Sequence, residues 1–165
     1  PPRSTLFPYT TLFRSPFWWS QERVQYLLDQ MSPRHLKVVS TMKAHGKWSY
    51  ATAFRRIRNG RSMAEVRADG LAGCLRTPRG GSGRQILIQA GYGRVRTRLL
   101  TPRECARLMG ADEYIISCPL NTALFGFGDA VCVPAVAWLA EHYLDRLYDE
   151  LNQEGAFVKK QAAGY

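Results

Sequence analysis

The chain has 165 residues, enough for one globular domain, and 45% of them are hydrophobic, which is sufficient for a buried core. Its formal net charge of +10 favours a polyanionic partner, with nucleic acid ahead of an acidic membrane surface. No apolar run reaches about 18 residues, and no secretory signal is evident. A membrane-spanning protein and a secreted protein are therefore not expected.

The cysteines and histidines form no recognisable metal or disulfide pattern. Cys74, Cys105, Cys118 and Cys132 include no pair at C-x-x-C spacing, and His142 completes no metal signature with them. We expect reduced, half-buried thiols, no bound metal and a cytoplasmic protein. The histidines are interpreted as surface or capping residues.

The N-terminal residues have an unusual sequence. Thr5 to Ser15 read TLFPYTTLFRS, which resembles the in-frame translation of a sequencing-library adapter. A natural aromatic N-terminal arm is the alternative. We expect residues 1–15 to be a sequencing or adapter artefact that is dispensable for folding. We also expect the true upstream part of the protein to be missing.

The elements that follow are predicted in chain order from caps and apolar spacing. A helix runs from Ser20 to Met31, with Ser20 as its cap. A second helix begins at Ser32 and ends near His45–Gly46, where the glycine is expected in the left-handed conformation. Trp48 to Ile57 fits either a strand or a short helix, and Asn59–Gly60 marks a turn.

A loop and a hairpin are predicted next. Thr77 to Arg84 read TPRGGSGR, which is typical of a loop. Ile86 to Ile88, the Gly91–Gly93 turn and Arg94 to Leu100 together predict an antiparallel hairpin. Alternating arginines share one face of its second strand: Arg94, Arg96 and Arg98. Two interpretations fit them, contact with DNA phosphates and a solvated basic edge that prevents strand aggregation. The same choice, more weakly, applies to Arg55, Arg56 and Arg58.

The third helix has the clearest start. Thr101 is the cap, Pro102 takes the first position and Glu104 completes a capping box, while Leu100 and Cys105 are placed to form a hydrophobic staple. Gly110 ends this helix. Arg103, Glu104 and Arg107 therefore receive structural roles rather than catalytic ones.

The last predicted helix begins near Pro134, and a loose tail follows Gly155. Its apolar stripe consists of Val136, Leu139, Ala140, Tyr143, Leu147 and Leu151. Trp18, Trp19 and Trp138 are interpreted as core residues rather than base-stacking platforms.

Three stretches together resemble the DNA cytosine-5 methyltransferases. Arg98 to Gly110, RLLTPRECARLMG, is similar to the ninth family motif, and Phe127 to Ala140, FGDAVCVPAVAWLA, to the tenth. Gly73 to Gln85, GCLRTPRGGSGRQ, resembles the target-recognition region of a bacterial branch. The resemblance covers most of residues 17 to 155 and implies methyl transfer from S-adenosylmethionine to carbon 5 of cytosine in a specific DNA sequence.

The resemblance implies an α+β fold in two parts. A small target-recognition domain with a β-hairpin would occupy residues 16–100. The C-terminal helices of an incomplete Rossmann-like class I methyltransferase domain would occupy residues 101–155, with a tail at 156–165. The partners would be double-stranded DNA and a missing N-terminal catalytic half, in the cytoplasm of a bacterial or phage-infected host, within a restriction-modification setting.

The resemblance also places the binding residues. DNA contact falls on Arg76, Thr77, Arg79, Gly80, Gly81, Ser82 and Arg84, although composition alone favours a solvated loop. Cofactor contact falls on Gly128, Asp129, Ala130 and Val131. Asp129 stands where the family usually has asparagine.

The family's catalytic groups are not found in the sequence. The chemistry implied by the resemblance uses base flipping, a nucleophilic cysteine in a Pro-Cys turn, a glutamate in a Glu-Asn-Val segment and a glycine-rich cofactor turn. In the family order all of these lie upstream. No catalytic residue is therefore assigned, and the chain alone is predicted to be inactive. A non-catalytic DNA-binding module is the alternative.

Overall fold

A computed structural model of the chain describes residues 17–77 and 83–152, and it confirms the α+β class. The elements, in chain order, are α1 (Gln21–Asp29), α2 (Pro33–Ala44), β1 (Ser49–Arg58), β2 (Arg61–Arg67), β3 (Ile86–Gly91), β4 (Arg94–Leu99), α3 (Pro102–Leu108), α4 (Leu120–Asp129), α5 (Val133–Leu139) and a π-helical segment, Ala140–Leu144. The chain divides into two compact units, Pro1–Ala130 and Val131–Tyr165. The division into residues 16–100 and 101–155 remains a prediction about family roles.

Helices α1 and α2 lie where the sequence predicts them. The Ser20 side chain caps α1 by accepting a hydrogen bond from the Arg23 N–H, and Pro33 opens α2. The left-handed glycine expected after α2 is wrong. The carbonyls of Lys43 and His45 instead accept hydrogen bonds from the N–H groups of the β3–β4 turn at 2.9 and 2.8 Å. Because this turn satisfies the helix end, the chain leaves α2 in an extended conformation.

The strands form one antiparallel sheet in the order β2-β1-β3-β4. Trp48 to Ile57, which fitted either a strand or a short helix, corresponds to strand β1. It continues through Asn59 and Gly60, both at positive φ, into β2, a strand that the sequence did not predict. The β3–β4 hairpin is confirmed.

Both faces of the sheet are covered within the first unit, which is why every residue of β3 is buried. One face packs against α1 and α2 through a cluster that includes Leu27, Val39, Ala53, Ile86 and Ile88. The other face packs against α3 and α4 through Leu87, Leu100, Cys105, Ala106, Ala123 and Phe127. Trp19 and Trp18 are partly buried at the edges of these two clusters.

The start of α3 confirms the predicted capping box. The Thr101 side chain accepts a hydrogen bond from the Glu104 N–H at 3.2 Å, and the Glu104 carboxylate accepts one from the Thr101 N–H at 2.8 Å. Leu100 and Cys105 are buried in one cluster, as the staple requires. Gly110, at φ 70°, follows the end of the helix.

Arg98 corrects the interpretation of the alternating arginines on β4. Its side chain is only 1% exposed, and its two terminal nitrogens donate to the two Glu104 carboxylate oxygens at 2.7 Å each. The guanidinium also lies 5.2 Å from the ring centroid of Trp18. Arg98 is therefore neither a phosphate ligand nor part of a solvated edge, because a buried carboxylate neutralises it at the β4–α3 corner.

The second unit is helical from Val133 to residue 152, with the π-helical segment in its middle. Its apolar stripe is exposed within this unit: Val133, Val136, Leu139, Tyr143, Leu144, Leu147 and Leu151. Trp138 is also exposed and stacks on His142 at 4.6 Å, so its assignment to a core is wrong. The predicted tail after Gly155 and the N-terminal fifteen residues lie outside the described residues.

One segment, Leu120–Asn152, is long and apolar enough to cross a membrane by length and composition, since an 18-residue window within it has a mean hydropathy of 1.7. The expectation that no apolar segment reaches this length is therefore wrong. Helical structure is interrupted at residues 130–132 within the segment, and Ala123 and Phe127 of its first part are buried in the core of the first unit. Only 6% of the most apolar window is buried, and a single helix of this length and composition is weak evidence for a membrane span.

Candidate nucleic-acid interface

Three of the residues predicted to contact DNA flank residues 78–82, the centre of the segment that the sequence predicts to be a loop. Arg76 and Thr77 precede it, Arg84 follows it, and Arg79, Gly80, Gly81 and Ser82 fall among residues 78–82, outside the described residues. The two flanking stretches lie close together, because a Cβ added to Gly83 would come within 3.2 Å of the Arg76 Cβ and of the Thr77 carbonyl. We call residues 75–77 and 83–85 the neck.

Gln85 holds the neck together from inside. Its side chain is 7% exposed, and its amide nitrogen donates to the Cys74 carbonyl at 3.1 Å. Gly73 packs directly against this amide, since a Cβ there would lie 2.7 Å from the Gln85 Oε1. Residues 74 and 85 are thus joined by a partly buried hydrogen bond in which residues 78–82 take no part.

A basic cavity of about 360 Å³ opens beside the neck. It is lined by arginines from three parts of the chain, Arg56 on β1, Arg67 on β2 and Arg76 in the neck, together with Phe54, Arg55, Gly73, Cys74, Thr77, Gly83 and Gln85. Sheet pairing brings Arg56 and Arg67 to this cavity from adjacent strands. Sequence reasoning missed Arg67, because β2 itself was not predicted.

Acidic side chains offset part of the positive charge around the cavity. Glu65 lies 3.8 Å from Arg56 and 3.0 Å from Arg58. Asp69 accepts a hydrogen bond from Arg67 at 2.7 Å, which raises the pKa of Arg67 and lowers the pKa of Asp69. Arg76 has no acidic partner among residues 17–77 and 83–152. The charge of Arg76, like that of Arg55, would therefore meet an anionic ligand without a neighbouring acidic side chain.

Arg84 is held by a neutral partner. Its Nη2 donates to the Asn121 side-chain oxygen at 3.3 Å, an exposed contact that leaves the charge of the guanidinium intact. Arg94 and Arg96, by contrast, line a separate cavity of about 490 Å³ with residues of α1 and α2. For these two arginines, both interpretations, contact with DNA phosphates and a solvated basic edge, are still possible.

The residues predicted to bind the cofactor lie at the end of α4 and the start of the second unit. Gly128 and Asp129 form the last turn of α4, and the Ala130 N–H donates to the Gly126 carbonyl at 2.9 Å. Asp129, Ala130 and Val131 are exposed. Exposed residues of this kind fit a cofactor as one wall of a pocket. Their assignment stays a prediction.

The cysteines are more sharply divided than the expected half-buried thiols. Cys74, Cys118 and Cys132 are exposed and free, and Cys105 is buried and free. Burial, with the nearby Glu104 charge as the second cause, raises the pKa of Cys105 to about 12, so it stays protonated at neutral pH and is a poor nucleophile. Within the described part of the chain, no three His, Cys, Asp or Glu side chains are grouped to hold a metal ion.

These features define an α+β protein with an arginine-lined cavity beside the neck. A family model described as C-5 cytosine-specific DNA methylase matches residues 18–144, which is most of the chain. The chain belongs to this family of cytosine methyltransferases. No match was found among curated proteins, and no solved structure matches the chain.

Proposed function

We propose that this chain is the DNA-recognising, C-terminal part of a cytosine-5 methyltransferase that modifies cytosine within a specific sequence of double-stranded DNA. The observation that carries the proposal is the basic cavity beside the neck, found in a chain of the cytosine-5 DNA methylase family. The cavity joins Arg76, which the sequence singled out for DNA contact, to arginines of the β1–β2 hairpin. Such a surface suits the phosphates and base edges of a duplex.

Arginine chemistry supports a role in reading DNA. A guanidinium can donate two parallel hydrogen bonds to the guanine edge or to a phosphate, and both contacts require the side chain to be held in place. The neck restricts the backbone of Arg76 and Arg84, while their charges remain without an acidic partner in the described residues. Arg76 is therefore the strongest candidate for a contact that distinguishes DNA sequences.

The cofactor of the proposed enzyme is S-adenosylmethionine, which the family generally uses and which supplies the methyl group. Residues 128–131 would contribute backbone to one wall of its pocket. Asp129 would add a negative charge beside a cofactor that itself carries a carboxylate, so the usual asparagine and this aspartate differ in electrostatics at the same position.

Methyl transfer would need groups from an upstream half of the enzyme. Cys105 is held protonated inside the core, and none of the exposed cysteines follows a proline, as the nucleophile of the family does. We therefore propose that the chain alone is inactive. The parent would act in the cytoplasm of a bacterial or phage-infected cell, as a methylase of a restriction-modification system.

A DNA-binding titration tests the proposal. Affinity should fall steeply with salt, and Arg76→Ala should weaken binding to the duplex sequence that the unmodified chain selects from a randomised library by roughly 1–3 kcal/mol if Arg76 contacts a base. If Arg76 contacts a phosphate, the variant should instead reduce the salt slope by about one. Arg34→Ala, which removes an exposed arginine from α2, is the matched control and should bind as the unmodified chain does. Equal affinity and salt slope for the two variants would remove Arg76 from the interface.

A further inference from the structure

Gly128 lies against the backbone of the neck. A Cβ added to Gly128 would overlap the Thr77 nitrogen and the carbonyl group of Arg76, and these are backbone atoms that cannot rotate away. Gly126 lies two residues earlier in the same helix, and a Cβ there would meet nothing within 4 Å. Glycine inside a helix costs about 1 kcal/mol relative to alanine. Because a side chain at Gly128 would collide with the neck backbone, this position requires glycine despite that cost.

Two further contacts hold the neck on α4. Asn121, in the first turn of α4, accepts the hydrogen bond from Arg84 on the other side of the neck. Leu75 packs into the cluster that contains Leu124 and Phe127. The space that remains between the neck and α4 is about 20 Å³, room for no more than one water molecule. Both sides of the neck therefore rest on one helix without a gap.

We propose that α4 is the seat of the neck and that Gly128 is a positioning residue for sequence recognition by Arg76. This inference rests on the proposed function. A base contact by arginine is geometrically demanding, and supporting residues must hold it to about 0.5 Å. A methyl group on Gly128 would push the Arg76–Thr77 backbone away from α4 and carry the Arg76 side chain with it. Part of the tenth motif thus controls DNA reading from within this chain, in addition to any contact with the cofactor.

The first test measures the neck without DNA. Limited digestion of the folded chain with trypsin, with cleavage sites identified by mass spectrometry, reports how often the bonds after Arg76 and Arg84 open. Gly128→Ala should raise cleavage after Arg76 several-fold relative to cleavage after Arg58 in the β1–β2 hairpin. Gly126→Ala is the matched control and should leave the pattern unchanged.

Two outcomes of this digestion overturn the inference. One is a Gly128→Ala protein with unchanged thermal midpoint and unchanged cleavage after Arg76. If Gly128→Ala fails to fold, a second variant decides. Asn121→Ala, which removes only the hydrogen bond to Arg84, should raise cleavage after Arg84. Unchanged cleavage in that variant is the other outcome, and it shows that α4 does not hold the neck.

The second test measures recognition itself. A randomised double-stranded DNA library is selected on the unmodified chain, on Gly128→Ala and on Gly126→Ala, and the bound sequences are counted. Gly128→Ala should lose most of the sequence enrichment while keeping the salt slope of binding, because the cationic residues are all retained. Equal enrichment of one sequence by all three proteins overturns the positioning role. No enrichment by the unmodified chain contradicts the proposed function instead, and the digestion still decides whether α4 seats the neck.

Discussion

At the residue scale, the Arg98–Glu104 ion pair joins three elements. Arg98 lies on β4, Glu104 caps α3, and Trp18 covers the guanidinium from the N-terminal side. Glu104 accepts from both Arg98 and the Thr101 N–H, so one carboxylate completes the ion pair and the capping box together. Buried pairs of this kind contribute little net stability as pairs, but breaking one leaves an uncompensated charge in the interior.

The first prediction concerns this pair. Glu104→Ala should lower the free energy of unfolding by about 3–5 kcal/mol, because Arg98 would remain buried without its counter-charge. Asp112→Ala, which removes the exposed partner of Arg107, is the control and should cost at most about 1 kcal/mol. Denaturant titrations measure both. A double variant, Arg98→Met with Glu104→Met, should recover part of the lost stability. Equal losses for Glu104→Ala and Asp112→Ala would contradict this role of the buried ion pair.

The second prediction concerns Cys105. Its pKa is about 12 in the folded chain against an ordinary 9.0, so the unfolded chain loses the thiol proton first as the pH rises. The stability of the fold should therefore fall between about pH 9 and pH 12, and Cys105→Ala should reduce this fall. At pH 8 a thiol reagent should label Cys74, Cys118 and Cys132 quickly and Cys105 only after denaturation. Rapid labelling of Cys105 in the folded chain would contradict its burial.

At the element scale, local signals predicted α1, α2, α3 and α5, but neither α4 nor β2 was predicted. Helix α4 packs Ala123 and Phe127 into the core, a non-local contact. Ser20 and the Thr101–Glu104 box define helix starts within a few residues of sequence, and both were predicted. Strand β2, RSMAEVR, has few apolar residues, and it forms because it pairs with β1 and because the Ala64 N–H donates to the Gln30 carbonyl. No spacing rule along the chain encodes that second contact.

The candidate site was predicted in part for the same reason. Arg76, Thr77 and Arg84 follow from the glycine-rich loop, but Arg67 reaches the cavity only through the pairing of β1 with β2. Arg98 was grouped with Arg94 and Arg96 by alternation, whereas Glu104 on the next element determines its burial. The contact of Gly128 with Arg76 and Thr77 joins residues about fifty positions apart, so no local pattern could indicate it.

At the scale of the whole molecule, the second unit presents its apolar stripe to solvent. Contiguous exposed apolar surface of this kind promotes association. We predict that the purified chain elutes from a sizing column as an assembly or aggregate, and that Leu147→Glu shifts it towards the monomer. Arg146→Glu, a charge change at the neighbouring exposed position, is the control. A monomeric unmodified chain at high concentration would show that the stripe does not drive association.

The central claim is that this chain provides DNA recognition to a cytosine-5 methylase. The most direct measurement joins the upstream half of another cytosine-5 DNA methylase in front of Pro16 and maps modified cytosines on a plasmid by bisulfite sequencing. We predict that neither half alone methylates, and that the joined protein does so in a sequence context that Arg76→Ala weakens and Arg34→Ala leaves unchanged. A joined protein that is soluble and folded yet transfers no methyl group, or that methylates in a context indifferent to Arg76, would contradict the account.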